Sequence, residues 1–264
     1  MTNKIFLKIY IFFLIFISHS LSADDLNINA KIIELDKSDK SIIAEGGVEV
    51  KDKKNNLIIS EKIKYDKIKQ ILNTYGETEI ITSENFKIKG ENIIYDNNKK
   101  IVSSDSKTQI TDRDGNTIFV NMFNYIVEKN MFLSSGEIKI TDNKSNEYYF
   151  SEIYIDEKKR KMVGSDIRTF LNDGSFKYDS RNEPRFFANA ATISEDYTVF
   201  NKAVFTACKQ RENDKCPPWV IRAKEIKHNA AKKTIFYDSA VLKVYNFPIF
   251  YFPKFFHPDP TVKR

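Results

Sequence analysis

The chain has 264 residues, 41% of them hydrophobic, with 42 Lys and Arg against 36 Asp and Glu. That balance excludes a strongly basic nucleic-acid binder, whose footprint is a cluster of cations rather than charges alternating along the chain. The apolar residues are biased to Ile, Phe and Tyr, which suit pleated, half-buried surfaces.

Residues 1–23 read as a secretory signal peptide. Lys4 and Lys8 flank the start of an apolar run at 9–17 that is too short to span a bilayer, and Ser20-Leu21-Ser22-Ala23 offers small residues for cleavage. A retained membrane anchor is the rival reading. Without this segment the chain loses two lysines and its formal charge falls from +6 to +4.

Residues 24–165 carry an echo with a period of thirty. Gly46, Gly76 and Gly136 hold one slot, with Ser106 filling the gap. Val50, Ile80, Ile110 and Ile140 form a second column, and Ile58, Ile88, Ile118 and Tyr148 a third. Ile33, Ile63, Ile93, Phe123 and Ile153 form a fourth, followed two residues on by Leu35, Tyr65, Tyr95, Tyr125 and Ile155. Fixed-period self-similarity means one supersecondary unit stacked on copies of itself, each burying its apolar face against its neighbours. Apolar alternation has period two, which excludes helix, and KDKKNN, YDNNKK, DRDGN and TDNKSN recur where tight strand connections belong. Ile58 and Ile63 differ in parity, so a bulge or corner is expected between them. The fold class is therefore all-β: a repetitive, open roll built from units of about thirty residues.

Over 157–185 the pattern loosens, and Pro184 cannot donate to a central ladder. Strand-like text resumes at Phe186, so 166–245 is expected to continue the same architecture. Residues 246–264 pack prolines 248, 253, 258 and 260 among aromatics, which excludes helix and a central strand.

Catalytic signatures are missing. His19, His228 and His257 are the three histidines, none near a cysteine or carboxylate cluster at ligand spacing, so no metal site is expected. No GxSxG, phosphate-binding loop or dinucleotide fingerprint occurs, so neither enzyme activity nor a cofactor is expected. Asp36, Asp66, Asp96 and Asp156 recur without the glycine-rich nonapeptides of calcium-binding repeats, and read as turn residues bonding their own backbone. Cys208 and Cys216, in an exported chain, read by default as a local disulfide, with free thiols or pairing to other sequence as alternatives.

Residues 190–264 resemble the LPS-assembly protein family known as LptD or OstA (organic solvent tolerance). The resemblance is carried by Tyr197-Thr198-Val199, by Ala203-Val204-Phe205-Thr206-Ala207-Cys208, and by Cys216-Pro217-Pro218-Trp219-Val220-Ile221-Arg222-Ala223. Ile226-Lys227-His228, Lys233-Thr234-Ile235-Phe236-Tyr237 and the closing FPIFYFPKFFHPDPTVKR complete it. The repeat upstream looks like the periplasmic domain this family shares with the bridge protein LptA. The resemblance implies an open β-jellyroll whose apolar interior holds the acyl chains of lipopolysaccharide, located on the periplasmic side of the outer membrane. Implied partners are lipopolysaccharide, an LptA-like bridge protein joined by edge-strand pairing, and an LptE-like lipoprotein plug where a barrel is present. Residues 246–264 would then be the junction to an outer-membrane barrel that this sequence does not include. Family members also pair periplasmic cysteines with cysteines of the barrel, which bears on Cys208 and Cys216.

The lipid-contacting residues expected from the columns are Val50, Ile80, Ile110 and Ile140; Ile58, Ile88 and Ile118; and Ile63, Ile93, Phe123 and Ile153. Burying acyl chains on such a face releases about 0.8 kcal/mol per methylene. The alternatives are a free-standing LptA-like carrier, an exported β-solenoid enzyme acting on polysaccharide, and a structural or adhesive repeat protein.

Overall fold

The computed structural model describes residues 26–53, 55–83, 85–170, 183–194, 196–209, 217–229 and 231–258, and every regular element among them is a β-strand. The expected signal peptide, Cys216 and the last six residues lie outside them.

The chain starts with β1 (Asn27–Asn29), β2 (Ile32–Asp36), β3 (Ser41–Lys51), β4 (Leu57–Asp66) and β5 (Ile71–Ile81). Three interrupted strands follow: β6 (Lys87–Glu91) with β7 (Ile94–Asp96), β8 (Ile101–Ser104) with β9 (Thr108–Thr111), and β10 (Thr117–Val120) with β11 (Phe123–Ile126). Then come β12 (Met131–Thr141), β13 (Glu147–Asp156), β14 (Lys161–Phe170) and β15 (Arg185–Ser194). Finally there are β16 (Tyr197–Thr206), β17 (Trp219–Asn229), β18 (Thr234–Val244) and β19 (Phe247–Pro258). All nineteen strands belong to one sheet, and every pairing is antiparallel. Since β1 and β2 share the partner β3, and each interrupted strand spans one width of the sheet, the molecule is a meander of rungs in sequence order.

The thirty-residue period is one hairpin of this meander: β3, the turn 52–56, β4 and the turn 67–70. Each turn type places one residue in the left-handed region at a fixed position. In the four-residue turns these are Lys40, Gln70, Lys100, Asn130 and Arg160; in the five-residue turns they are Asn55, Asn85, Gly115 and Ser145. The repeating aspartates do bond their own turns: Asp66 Oδ1 accepts from the backbone N–H groups of Ile68 and Lys69, both at 2.9 Å, and Asp96 from that of Lys99 at 2.9 Å. In the five-residue turns Asp112 accepts from the Asn116 backbone and side chain, and the Asn143 N–H donates to Asn116 Oδ1 at 3.1 Å, tying one turn to the next.

The first rungs break register near their middle, where the expected corner lies. The ladder register shifts between Glu45 and Val48 on β3 and between Ser60 and Lys62 on β4. Gly46 (φ 83°), Gly76 (φ 75°) and Gly136 (φ 100°) supply the left-handed backbone there, and Asp166 (φ 51°) continues the column thirty residues on. Aspartate tolerates that conformation, so β14 extends the repeat without a glycine and crosses residue 165 unbroken. Hydroxyls repair the backbone where rungs change direction. Thr74 Oγ1 accepts from the Ile93 N–H at 2.9 Å, Ser104 Oγ donates to the Glu91 carbonyl at 3.0 Å, and Ser134 Oγ to that of Met122 at 2.6 Å. In the same column Gly164 has no room for a side chain, because a Cβ there would lie 2.5 Å from the Phe150 ring.

Candidate functional site: an apolar trough

Bent rungs stacked in register turn sequence columns into ladders that run along the molecule. The columns Val50/Ile80/Ile110/Ile140 and Ile58/Ile88/Ile118/Tyr148 interleave into one: Ile28, Val50, Ile58, Ile80, Ile88, Ile110, Ile118, Ile140 and Tyr148 are successive cross-strand partners. The ladder goes on through Thr169, Phe186, Phe205, Ile221, Leu242 and Phe250 to the last rung. Direct neighbours in such a ladder stand about 5 Å apart, so their side chains form a continuous surface.

A second ladder faces it from the other arm. Ile42, Tyr65, Leu72, Tyr95, Val102, Tyr125, Phe132, Ile155, Met162 and Ile193 pair in succession. Half of it escaped the sequence reading, although Ile42, Leu72, Val102, Phe132 and Met162 also stand thirty apart and carried the signal. Their variety of residue type hid the column that the isoleucines elsewhere made plain.

Between the two ladders lies a cavity of about 280 Å³. Val50, Ile58, Ile80, Ile88 and Ile110 line one side, Leu72, Tyr95, Val102, Tyr125 and Phe132 the other, and Ile93 and Phe123 lie at the corner. Of the other residues expected to contact lipid, Ile63 is buried in a cluster with Ala44, Val48 and Tyr65 near the first rungs. Ile118 and Ile140 pack against the main core, and Ile153 is buried opposite Ser134 and Gly164. These four shape the trough without bordering the cavity.

Apart from Thr74 at the corner, the polar groups that border the cavity sit at the mouth. Tyr95 Oη donates to Asn97 Oδ1 at 3.0 Å and Tyr125 Oη to Glu157 Oε2 at 3.0 Å, so each ring lines the trough and its hydroxyl reaches a turn. Tyr148 does the same on the opposite row, donating to Asp142 Oδ2 at 3.0 Å. Burial, then the Asp142 charge, raises the Tyr148 phenol well above its ordinary value. Burial opposes ionisation of Asp142, but hydrogen bonds from the Asn146 side chain and backbone hold its carboxyl below the usual range. The phenol therefore stays a neutral donor and the carboxylate a charged acceptor.

A larger depression of about 1410 Å³ lies on the outer face, where Lys139 and Arg168 approach the Tyr149 ring at 5.6 and 5.5 Å. Its lining combines Phe119, Tyr149, Phe150, Phe187 and aliphatic side chains such as Ile138 and Ile167 with Lys, Arg, Glu, Asp and Asn, so charged groups interrupt an apolar surface that runs unbroken in the trough. Among the described residues no group of three His, Cys, Asp or Glu is arranged to hold a metal ion. The expected Cys208–Cys216 bond falls outside the described residues at Cys216; Cys208 lies at the end of the segment after β16, where its carbonyl accepts from Arg185 Nη1 at 2.6 Å.

No family model matches the chain. A stretch of 99 residues, 35% of this chain, is 30% identical to the LPS-assembly protein LptD of Mannheimia succiniciproducens. The match spans 12% of that protein's length. Among solved structures, the chain aligns with LptH, described as the LptA-homologous periplasmic component of the lipopolysaccharide transport device of Pseudomonas aeruginosa. That alignment has 14% identity and a TM-score of 0.23, and covers 50% of this chain and 75% of that one.

Proposed function

We propose that this chain is a periplasmic lipid-transfer module of lipopolysaccharide transport, whose trough holds acyl chains while the saccharide stays outside. The observation that carries this reading is the pair of facing apolar ladders, which offer a continuous apolar path from rung to rung beneath an open mouth. Acyl chains suit such a path because burial of apolar area is non-directional and additive along the chain, about 0.8 kcal/mol per methylene. The similarity to an LPS-assembly protein supports lipopolysaccharide as the lipid.

Within that role we favour the LptD-like position at the outer membrane over a free-standing LptA-like carrier. The supporting observation is β19, an edge strand that exposes Phe247, Ile249, Phe250, Tyr251 and Phe256 on both faces. Such an edge suits residues 246–264 as a junction against another apolar body, with a barrel and its lipoprotein plug beyond. At the other end, β2 exposes Ile32, Ile33 and Leu35 and offers an edge for strand addition by a bridge protein.

Photocrosslinking tests the lipid reading. A crosslinker at Ile80 or Ile110 should capture lipopolysaccharide in cells, whereas one at Lys89, the outward neighbour of Ile88, should not. Capture confined to Lys89 would sink the assignment of the trough.

A further inference from the structure

The mouth of the trough runs between two rows of turns, and the rows differ in charge. The cavity reaches Asp52, Asn56 and Ser83 on one row and Val127, Asn130 and Glu157 on the other. Segments 36–40, 66–70, 96–100, 126–130 and 156–160 hold ten Lys or Arg against seven Asp or Glu. The described residues of segments 52–56, 82–86, 112–116 and 142–146 hold three against four. One lip therefore has an excess of cations and the other does not.

The cationic lip has a repeated geometry. Lys69 Nζ stands 3.7 Å from Asp66, Lys99 Nζ 3.4 Å from Asp96 and Lys159 Nζ 3.0 Å from Asp156. Each aspartate is fixed by a backbone N–H of its own turn, so each lysine is tethered at the same place in its unit. These lysine side chains are 73–76% exposed, leaving most of each ammonium's hydrogen-bonding capacity toward solvent. Units that neighbour each other along the sheet place their lysines two strand spacings apart, about 10 Å. Tyr95 and Tyr125 bridge the apolar wall to this same lip through Asn97 and Glu157.

We propose that the row of four-residue turns is an anion-binding lip, taking the phosphate head of an amphiphile whose acyl chains lie in the trough. The proposal rests on the lipid-transfer reading above and adds an orientation to it. A buried chain must bring its head out at the mouth. There an anion gains from the lip with surplus ammonium groups and is repelled by the lip with surplus carboxylates. Lysines on flexible stems act as point charges, and so accept a phosphate at any of several steps along the row.

The test compares dodecyl phosphate with dodecyl maltoside, which share a chain and differ in head charge, by displacement of a fluorescent acyl probe from the full chain. At low salt the phosphate should bind about fivefold tighter or more, and the preference should shrink as salt screens exposed charges. The triple variant Lys69→Gln, Lys99→Gln, Lys159→Gln brings the lip to seven cations against seven anions and should abolish the preference while leaving maltoside affinity unchanged. Arg113→Gln with Lys144→Gln, on the opposite lip, should preserve it. Equal affinity for the two detergents in the unaltered protein, or a preference that survives the triple variant, overturns the lip and leaves the trough reading standing. Failure of both detergents to displace the probe overturns the trough reading and the lip with it.

Discussion

The two halves of the meander share a backbone plan and differ in what fills it. Through β12 the first ladder is nearly all isoleucine, and a cavity separates it from the facing wall. Beyond β14 aromatic rings take over. Phe186 stacks on Phe200 at 5.5 Å and packs tilted against Phe205 at 4.6 Å, and Tyr237 stacks on Phe255 at 4.4 Å. Branched aliphatic side chains coat a wall without reaching across it, whereas rings extend into the space and pack on one another. Phe186 and Phe205 stand on the first ladder while Phe200, Tyr237 and Phe255 continue the corner column of Ile153 and Gly164, so rings from two columns pack the second half where the first half keeps a lined cavity.

Truncation of core residues should expose that difference most strongly. Phe186→Ala should cost about 4 kcal/mol, because it removes a ring packed between two others, and Ile88→Ala at the cavity wall nearer 2 kcal/mol. Equal costs in urea unfolding would break the contrast between a packed and a lined interior. Small-to-large changes at the two crowded glycines come next. Gly164→Val meets the Phe150 ring and the Glu152 carbonyl and should cost about 3 kcal/mol, whereas Gly90→Val meets first the Thr108 hydroxyl and should cost about 1 kcal/mol.

Filling the cavity should separate binding from stability. Ile88→Phe should weaken acyl-probe binding about tenfold while costing only about 1 kcal/mol, since the added ring has space to occupy. Unchanged probe affinity would move the lipid away from this part of the trough.

The smallest expected effect is a pH dependence in the first hairpins. The Lys64 ammonium, 2.7 Å away, together with Ser41 holds the Asp39 carboxyl down to about 2. A depressed carboxyl stabilises the fold above its unfolded value near 3.8, and that contribution is lost as pH falls toward 2. Both groups are largely in solvent, so salt should shrink the effect, and Asp39→Asn should remove this acid-side component from the unfolding profile.

Much of the architecture was legible because stacked units impose the same demands every thirty residues. Gly46, Gly76 and Gly136 mark a backbone that most side chains resist, and Val50 through Ile140 mark a wall where one residue type recurs. The pattern loosens at 157–185 because EKKRK, NDGS, SRNEP and Pro184 read as polar connection, yet β14 keeps the repeat over Lys161–Phe170 with Asp166 in the glycine slot. The hydroxyl column of Thr74, Ser104 and Ser134 was invisible for a different reason. Its role depends on carbonyl and N–H groups twelve to nineteen residues away that only the corner brings beside these hydroxyls.

The sequence by itself determined that the chain is all-β, that it repeats every thirty residues, and which isoleucines share a face, since alternation and period follow from strand geometry. Only the tertiary structure decided that two parity-matched columns merge into a single ladder, that a second ladder stands opposite, and that seven of the eleven expected residues border the cavity. A column records which face a residue takes. Which wall that face meets is fixed by the bend at each rung and by the volume of the side chains across the gap.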